Sequence, residues 1–234
     1  MSIQRDNPQL RGVGAIEQLP PSDPLRRLHD DIRMLLHSNR STLLYHGWPH
    51  AYFVTKHAML FARDHAADET VVGSAALVHD LNYLVRPDSE PTAGAGMITA
   101  RMLASGFSKK KAELAVRIIN EANLGARGPE ISIEAACLSD ADTLFKALPF
   151  TPILLAPAYL LENGVTLREL ATKIVREQLV RLEDGYYFYF SEVKDRYEVW
   201  ARENIAMWQR VLEALNDDEL SWLSDQLSLL NKEE

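Results

Sequence analysis

The sequence predicts an all-α fold, a single-domain helical bundle, and three observations carry that expectation. From Asp23 onward, apolar residues recur at helical spacing in nearly every segment. Residues that favour N-caps stand at the start of several of these segments. The one candidate strand is "YYFYF" at 186–190, and there is neither an internal repeat nor a linker long enough to divide the chain.

The elements follow in order. Residues 1–22 are polar and interrupted by prolines, and read as an extended arm ahead of a domain spanning 23–234. "DPLRRLHDDIRMLLHSN" has Asp23 as N-cap, Pro24 at the first helical position, and Leu25, Leu28, Ile32, Leu35 and Leu36 on one stripe. "PHAYFVTKHAMLFARDHA" and "DETVVGSAALVHDLNYL" are the next two helices, the second capped by Asp68. "EPTAGAGMITARMLASGF" and "SKKKAELAVRIINEAN" follow, the latter with Ser108 as N-cap, and then "SIEAACLSDADTLFKAL", with Ser132 and Glu134 at its start. Pro149, Pro152 and Pro157 then cut the chain into short pieces, and a helix resumes after Thr166. "SEVKDRYEVWARENIAMWQRVLEALN" is the longest, about seven turns at ~3.6 residues each. "DDELSWLSDQLSLLN" closes the chain with Leu220, Leu223, Leu227 and Leu230 on one face, suited to a homo-oligomer contact or to the chain's own core.

Composition narrows the function. Hydrophobic residues make up 47% and charged residues 25%, an ordinary globular mixture. A formal net charge of −8 argues against broad nucleic-acid binding, which needs a basic face. No apolar run approaches the ~20 residues that cross a bilayer, and the N-terminus lacks the apolar core of a secretory signal. Cys137 is the single cysteine, so no intrachain disulfide can form and a cytoplasmic location is the expectation.

The chemistry-bearing residues are unevenly placed. All seven histidines lie at or before His79. His79 and Asp80 sit near the end of an apolar helix, where an imidazole beside a carboxylate is costly to bury without partners. A second apolar helix carries Asp140 and Asp142. Histidines and carboxylates on separate helices are the ingredients of an N/O-ligated divalent metal site inside a bundle.

Three segments go further. "YHGWPHAYFV" is similar to the "YHNxxHxxxV" opening of cyclic-nucleotide phosphodiesterases and related enzymes; "AALVHDLNY" and "SDADTL" are similar to the HD and closing "ADxL" segments that follow it. Over about 25–145 the chain thus resembles the HD-domain superfamily of metal-dependent phosphohydrolases. That resemblance implies an all-α, single-domain bundle of the HD-domain type, with a metal-site core at about 45–145 and additional C-terminal helices over 150–234. It implies that His50, His79, Asp80 and Asp142 hold one divalent ion (Mn, Co, Fe, Ni, Zn or Mg, the imidazoles suiting Mg least). Asp140 competes with Asp142 for the last place. His46 and Asp80 become the catalytic residues, His46 giving a proton to the leaving oxygen and Asp80 orienting the water. The implied reaction is attack of a metal-activated water on a phosphoester or phosphoanhydride of a small phosphorylated substrate, nucleotides included. Two alternatives are a non-catalytic metal-binding domain acting as sensor or scaffold, and a di-iron oxygenase. The latter is disfavoured because no histidine falls between Asp80 and Asp142.

Arg86, six residues past the HD pair, and Glu121 are further substrate-binding candidates, and Glu90 and Glu121 are carboxylates that could meet a water or a second ion. Surface roles are the simpler reading for both glutamates and for Lys109, Lys110 and Lys111. His57 reads as packing, and His29, His37 and His65, among charged neighbours, as surface residues. Cys137 reads as a small core residue, and Trp200, Trp208 and Trp222 as core rather than a nucleobase pocket.

Overall fold

The computed structural model describes residues 16–230, with the side chains of 224, 225 and 227–230 left outside that description. The N-capping chemistry read from the sequence operates directly. Asp23 accepts the Leu25 N–H at 2.8 Å and opens α1 (Pro24–Ser38). Gly47 precedes α2 (Trp48–Asp64), and Asp68 accepts the Thr70 and Val71 N–H groups to start α3 (Glu69–Val78). Two short 3-10 turns, Leu81–Leu84 and Pro91–Gly94, lead into α4 (Ala95–Ala104). Ser108 caps α5 (Lys109–Ala122), and Ser132 caps α6 (Ile133–Ala147). After a π-type turn at Thr151–Leu155 come α7 (Ala156–Asn163) and α8 (Leu167–Ile174), the latter opened by a capping box between Thr166 and Glu169. A second π-type turn, Val175–Leu179, leads to α9 (Val180–Glu183), α10 (Ser191–Leu215) and α11 (Asp218–Leu230).

Among the described residues there is no strand, as the all-α expectation requires. Helix α3 is buried at every position from Val71 to Val78, because α1, α2, α5 and α6 enclose it. A smaller apolar cluster of Ala156, Tyr159, Leu170, Ala171 and Trp208 joins α7, α8 and α10. The site lies between these two cores.

Several expectations change. Residues 1–15 of the expected arm lie outside the described residues, but Ile16 is buried in the main core. "YYFYF" is a bend rather than a strand: Asp140 accepts the Tyr189 and Phe190 N–H groups, and Arg127 donates to the Tyr187 carbonyl. His29 is fully buried, edge-on to Trp48 at 5.2 Å, because it shares the inward stripe of α1 with Leu25, Leu28 and Ile32. His65 is half-buried, stacked 3.6 Å from Phe190. Cys137 and Trp208 are in the core, whereas Trp222 is exposed. The expected face of α11 falls partly on Leu227 and Leu230, whose side chains are not described, and its Leu220 and Leu223 are exposed. Among the described residues, no single helix is long and apolar enough to cross a membrane.

Candidate metal centre

Three helices aim donors at one point. His50 occupies the first turn of α2, a buried position. His79 caps α3, and its Nδ1–H donates to the Ala76 carbonyl at 2.8 Å, so in the neutral ring Nε2 carries the free lone pair. The chain leaves helical geometry at Asp80 (φ −105°, ψ 14°). Adjacent residues on a continuous helix would diverge by about 100°; here Asp80 Oδ2 comes within 3.0 Å of His79 Nε2 and 2.8 Å of His50 Nε2.

The two Nε2 atoms are themselves 3.1 Å apart, and Asp142 Oδ1 is 3.6 Å from that of His50. His50, His79 and Asp142 all place donor atoms within 4.8 Å of one another. Bonds of ~2.1 Å to one ion at right angles set neighbouring donors about 3.0 Å apart, close to the His50, His79 and Asp80 spacings. Asp80 Oδ2, buried, has no properly directed hydrogen bond among the described residues. A divalent cation fits this donor set, since it would satisfy the converging lone pairs together.

Electrostatics agree with that arrangement. Burial alone would raise the Asp80 pKa, but the His79 and His46 imidazoles hold it well below the usual carboxylate range. Burial likewise opposes ionisation of Asp142, and Lys146 with His50 and His79 brings it below the ordinary value. Asp140 has a different setting. It is fully buried and faces the 186–190 bend, with its oxygens 2.8 and 2.9 Å from the Tyr189 and Phe190 nitrogens. Burial pushes its pKa up to about 7. Two residues apart on α6, Asp140 and Asp142 point to different sides.

Above the donors opens a cleft of 220 Å³, lined in part by Tyr45, His46, Tyr83, Lys146, Tyr159 and Lys173. His46 lies against Tyr83, ring centroids 3.5 Å apart and planes 12° from parallel. Its Nδ1 meets Oε1 of Glu162 on α7, whose Oε2 accepts the backbone N–H groups of Tyr45 and His46 at 2.6 and 3.1 Å. Lys146 pairs with Asp142, and Lys173 with Asp88 at 2.5 Å.

The remaining candidates lie elsewhere. Arg86 is exposed and does not line the cleft, because the turn after Leu84 carries it outward. Glu121 is tied to Ser132, accepting from its N–H and hydroxyl at the start of α6, and also stays out of the cleft. Glu90 does line it, accepting from Asn123 at 3.1 Å. His57 gives its Nδ1–H to the Phe53 carbonyl one turn back. Sequence reasoning missed the cleft's cations, Lys146 and Lys173, and it missed Glu162. Lys146 had a signal in its spacing of four from Asp142; Glu162, in "LLENG", had none.

Residues 47–146 match the family model described as HD domain. The crystal structure of Bacillus subtilis YpgQ in complex with ADP is similar, with 25% identity and a TM-score of 0.56 over 81% of this chain and 95% of that one. A second Bacillus subtilis YpgQ structure aligns at 20% identity and a TM-score of 0.45, covering 83% of this chain and 96% of that one. No curated protein matches. The stretch that is similar to an HD domain contains His50, His79, Asp80 and Asp142, and the helices after 146 lie outside it.

Proposed function

We propose that this protein is a metal-dependent phosphohydrolase cleaving a phosphoester or phosphoanhydride of a nucleotide-type substrate. The observation that carries the reading is the convergence of His50, His79, Asp80 and Asp142 at the floor of a cleft that also holds His46. The nucleotide class is supported by the ADP bound to YpgQ and by the tyrosine rings around His46. In this reading those four residues hold one divalent cation; two imidazoles with two carboxylates suit Mn, Co, Fe, Ni or Zn better than Mg. When bound, the cation supplies Lewis acidity, polarising a phosphoryl oxygen and making a nearby water more acidic.

The chain's own groups do the rest. Asp80 accepts a hydrogen bond from the attacking water and aligns it with phosphorus. Lys146 and Lys173 offset the charge of the phosphate oxygens, the part expected of Arg86. The attacking water loses its proton to solvent, and as the bond from phosphorus to the leaving oxygen breaks, that oxygen keeps the electron pair and takes a proton from the doubly protonated His46 ring, which recovers one from solvent.

The test is a phosphatase, pyrophosphatase and phosphodiesterase screen with nucleoside mono-, di- and triphosphates, on chelated protein resupplied with individual metals. Turnover that requires both the metal and Asp80 is expected. Full turnover by a metal-free Asp80→Ala protein would sink the reading, and two irons per chain would favour the oxygenase alternative.

A further inference from the structure

We propose that Glu162 is the positioning residue that fixes the tautomer and orientation of His46, so that α7 completes a site whose metal donors lie elsewhere. The inference rests on the phosphohydrolase reading above, in which His46 supplies the proton. Glu162 lies outside the HD-matched residues, on a helix that contributes no metal donor. Its side chain is only 3% exposed, and a buried carboxylate is costly unless both oxygens find donors. Two consecutive N–H groups, of Tyr45 and His46, satisfy Oε2. Oε1 remains, and it is aimed at the His46 ring.

A carboxylate only accepts, so Nδ1 carries a hydrogen in the neutral and the charged ring alike, and Nε2 is the nitrogen that takes up and gives the working proton. Tyr83, stacked on the ring, fixes its plane. The next residue repeats the device on the other rim of the cleft: Asn163 Oδ1 accepts the Asp88 N–H at 3.0 Å. The end of α7 therefore fastens both loops that flank the metal donors, and Gly164, at φ +64°, ends the helix just beyond.

Glu162→Gln isolates the role. The amide oxygen can still accept both backbone N–H groups, but the NH₂ now faces Nδ1, so the neutral ring carries its hydrogen on Nε2 and the doubly protonated ring that gives the proton is disfavoured. The first measurement is ¹⁵N NMR of His46 in the full, zinc-loaded chain, its signals assigned by their loss in His46→Ala. A hydrogen on Nδ1 in the wild type and a bare Nδ1 in E162Q are expected. A bare Nδ1 in the wild type overturns the proposal, and so does an unchanged tautomer in E162Q. The wild-type spectrum decides even if the variant fails to fold.

The second measurement is kinetic, with Mn²⁺ and two probes, phenyl phosphate and p-nitrophenyl phosphate. Phenolate needs its proton more than p-nitrophenolate does. In E162Q, kcat for phenyl phosphate should fall roughly 100-fold, within the ~10²–10⁴-fold that acid–base catalysis contributes. KM should stay within about twofold, and the p-nitrophenyl ester should suffer less. In a His46→Ala background the same substitution should cost less than about twofold. A full cost persisting there, or equal losses on both esters, would show that Glu162 does not act through His46. If the loaded wild type turns over no phosphate ester or anhydride, the phosphohydrolase reading fails, and the tautomer alone decides the positioning role.

Discussion

Two aspartates on one helix, Asp140 and Asp142, show how a single side chain's surroundings decide its chemistry. Asp142 meets imidazoles and a lysine, whereas Asp140 meets two backbone N–H groups. Asp142→Asn should therefore lose the metal and the metal-dependent rate. Asp140→Asn should keep the metal but lose about 1–3 kcal/mol of stability, because its amide can accept only one N–H and turns a donor toward the other. Metal stoichiometry and denaturant unfolding of the two variants check the split. His57 makes a different prediction. Burial lowers its pKa despite the Phe53 hydrogen bond, so the folded state favours the neutral ring. Its contribution is fully present above the ordinary value of ~6.5 and is lost as pH falls through the lower folded value. Melting temperatures should thus fall more steeply from pH 7 to pH 5 in the wild type than in His57→Gln; parallel curves would exclude the effect. The donor types were legible in the sequence because histidine and aspartate in apolar helices need an explanation. His29 was misread from its charged neighbours, although its spacing from Leu25 and Ile32 carried the right signal.

At the scale of elements, helix starts were legible because a capping side chain acts within three residues, as at Asp23, Asp68, Ser108, Ser132 and Thr166. The bend at 186–190 was not, since its shape depends on Asp140, about fifty positions earlier in the chain. The departure from helix at Asp80 was equally hidden, and it lets neighbouring residues reach one point. Helix α2 begins without a side-chain cap, and its Gly47 has another reason to be glycine. Its φ of −80° suits any residue, but a Cβ there would lie 2.6 Å from the Leu43 carbonyl oxygen. Gly47→Ala must push apart the loop that carries Tyr45 and His46. A stability loss of about 1–3 kcal/mol is expected, with kcat falling more than metal affinity. Thermal melts and metal titration of the variant would test both; an unperturbed melt would refute the close approach.

For the whole molecule, the division of labour follows chain order: α2, the end of α3, and α6 bring the donors, and the helices after 150 bring Lys173 and Trp208 to the same cleft and Glu162 to the His46 ring that lines it. Because the donors come from three helices separated by long stretches of chain, the unfolded chain offers no preformed site. Metal affinity is therefore linked to folding. At 100 times its dissociation constant, Mn²⁺ should stabilise the chain by about 2.7 kcal/mol, raising the melting temperature by roughly 5–10 °C for a domain of this size. His50→Ala and Asp80→Ala should abolish that rise, since each removes an atom on which the others converge. Asp140→Asn and Glu162→Gln should retain it, because neither side chain points at the donor cluster. Differential scanning calorimetry across a Mn²⁺ series measures the rise directly. An equal rise in His50→Ala would place the ion somewhere other than these four residues. A rise lost in Glu162→Gln would mean instead that α7 supports the donors as well as the imidazole above them.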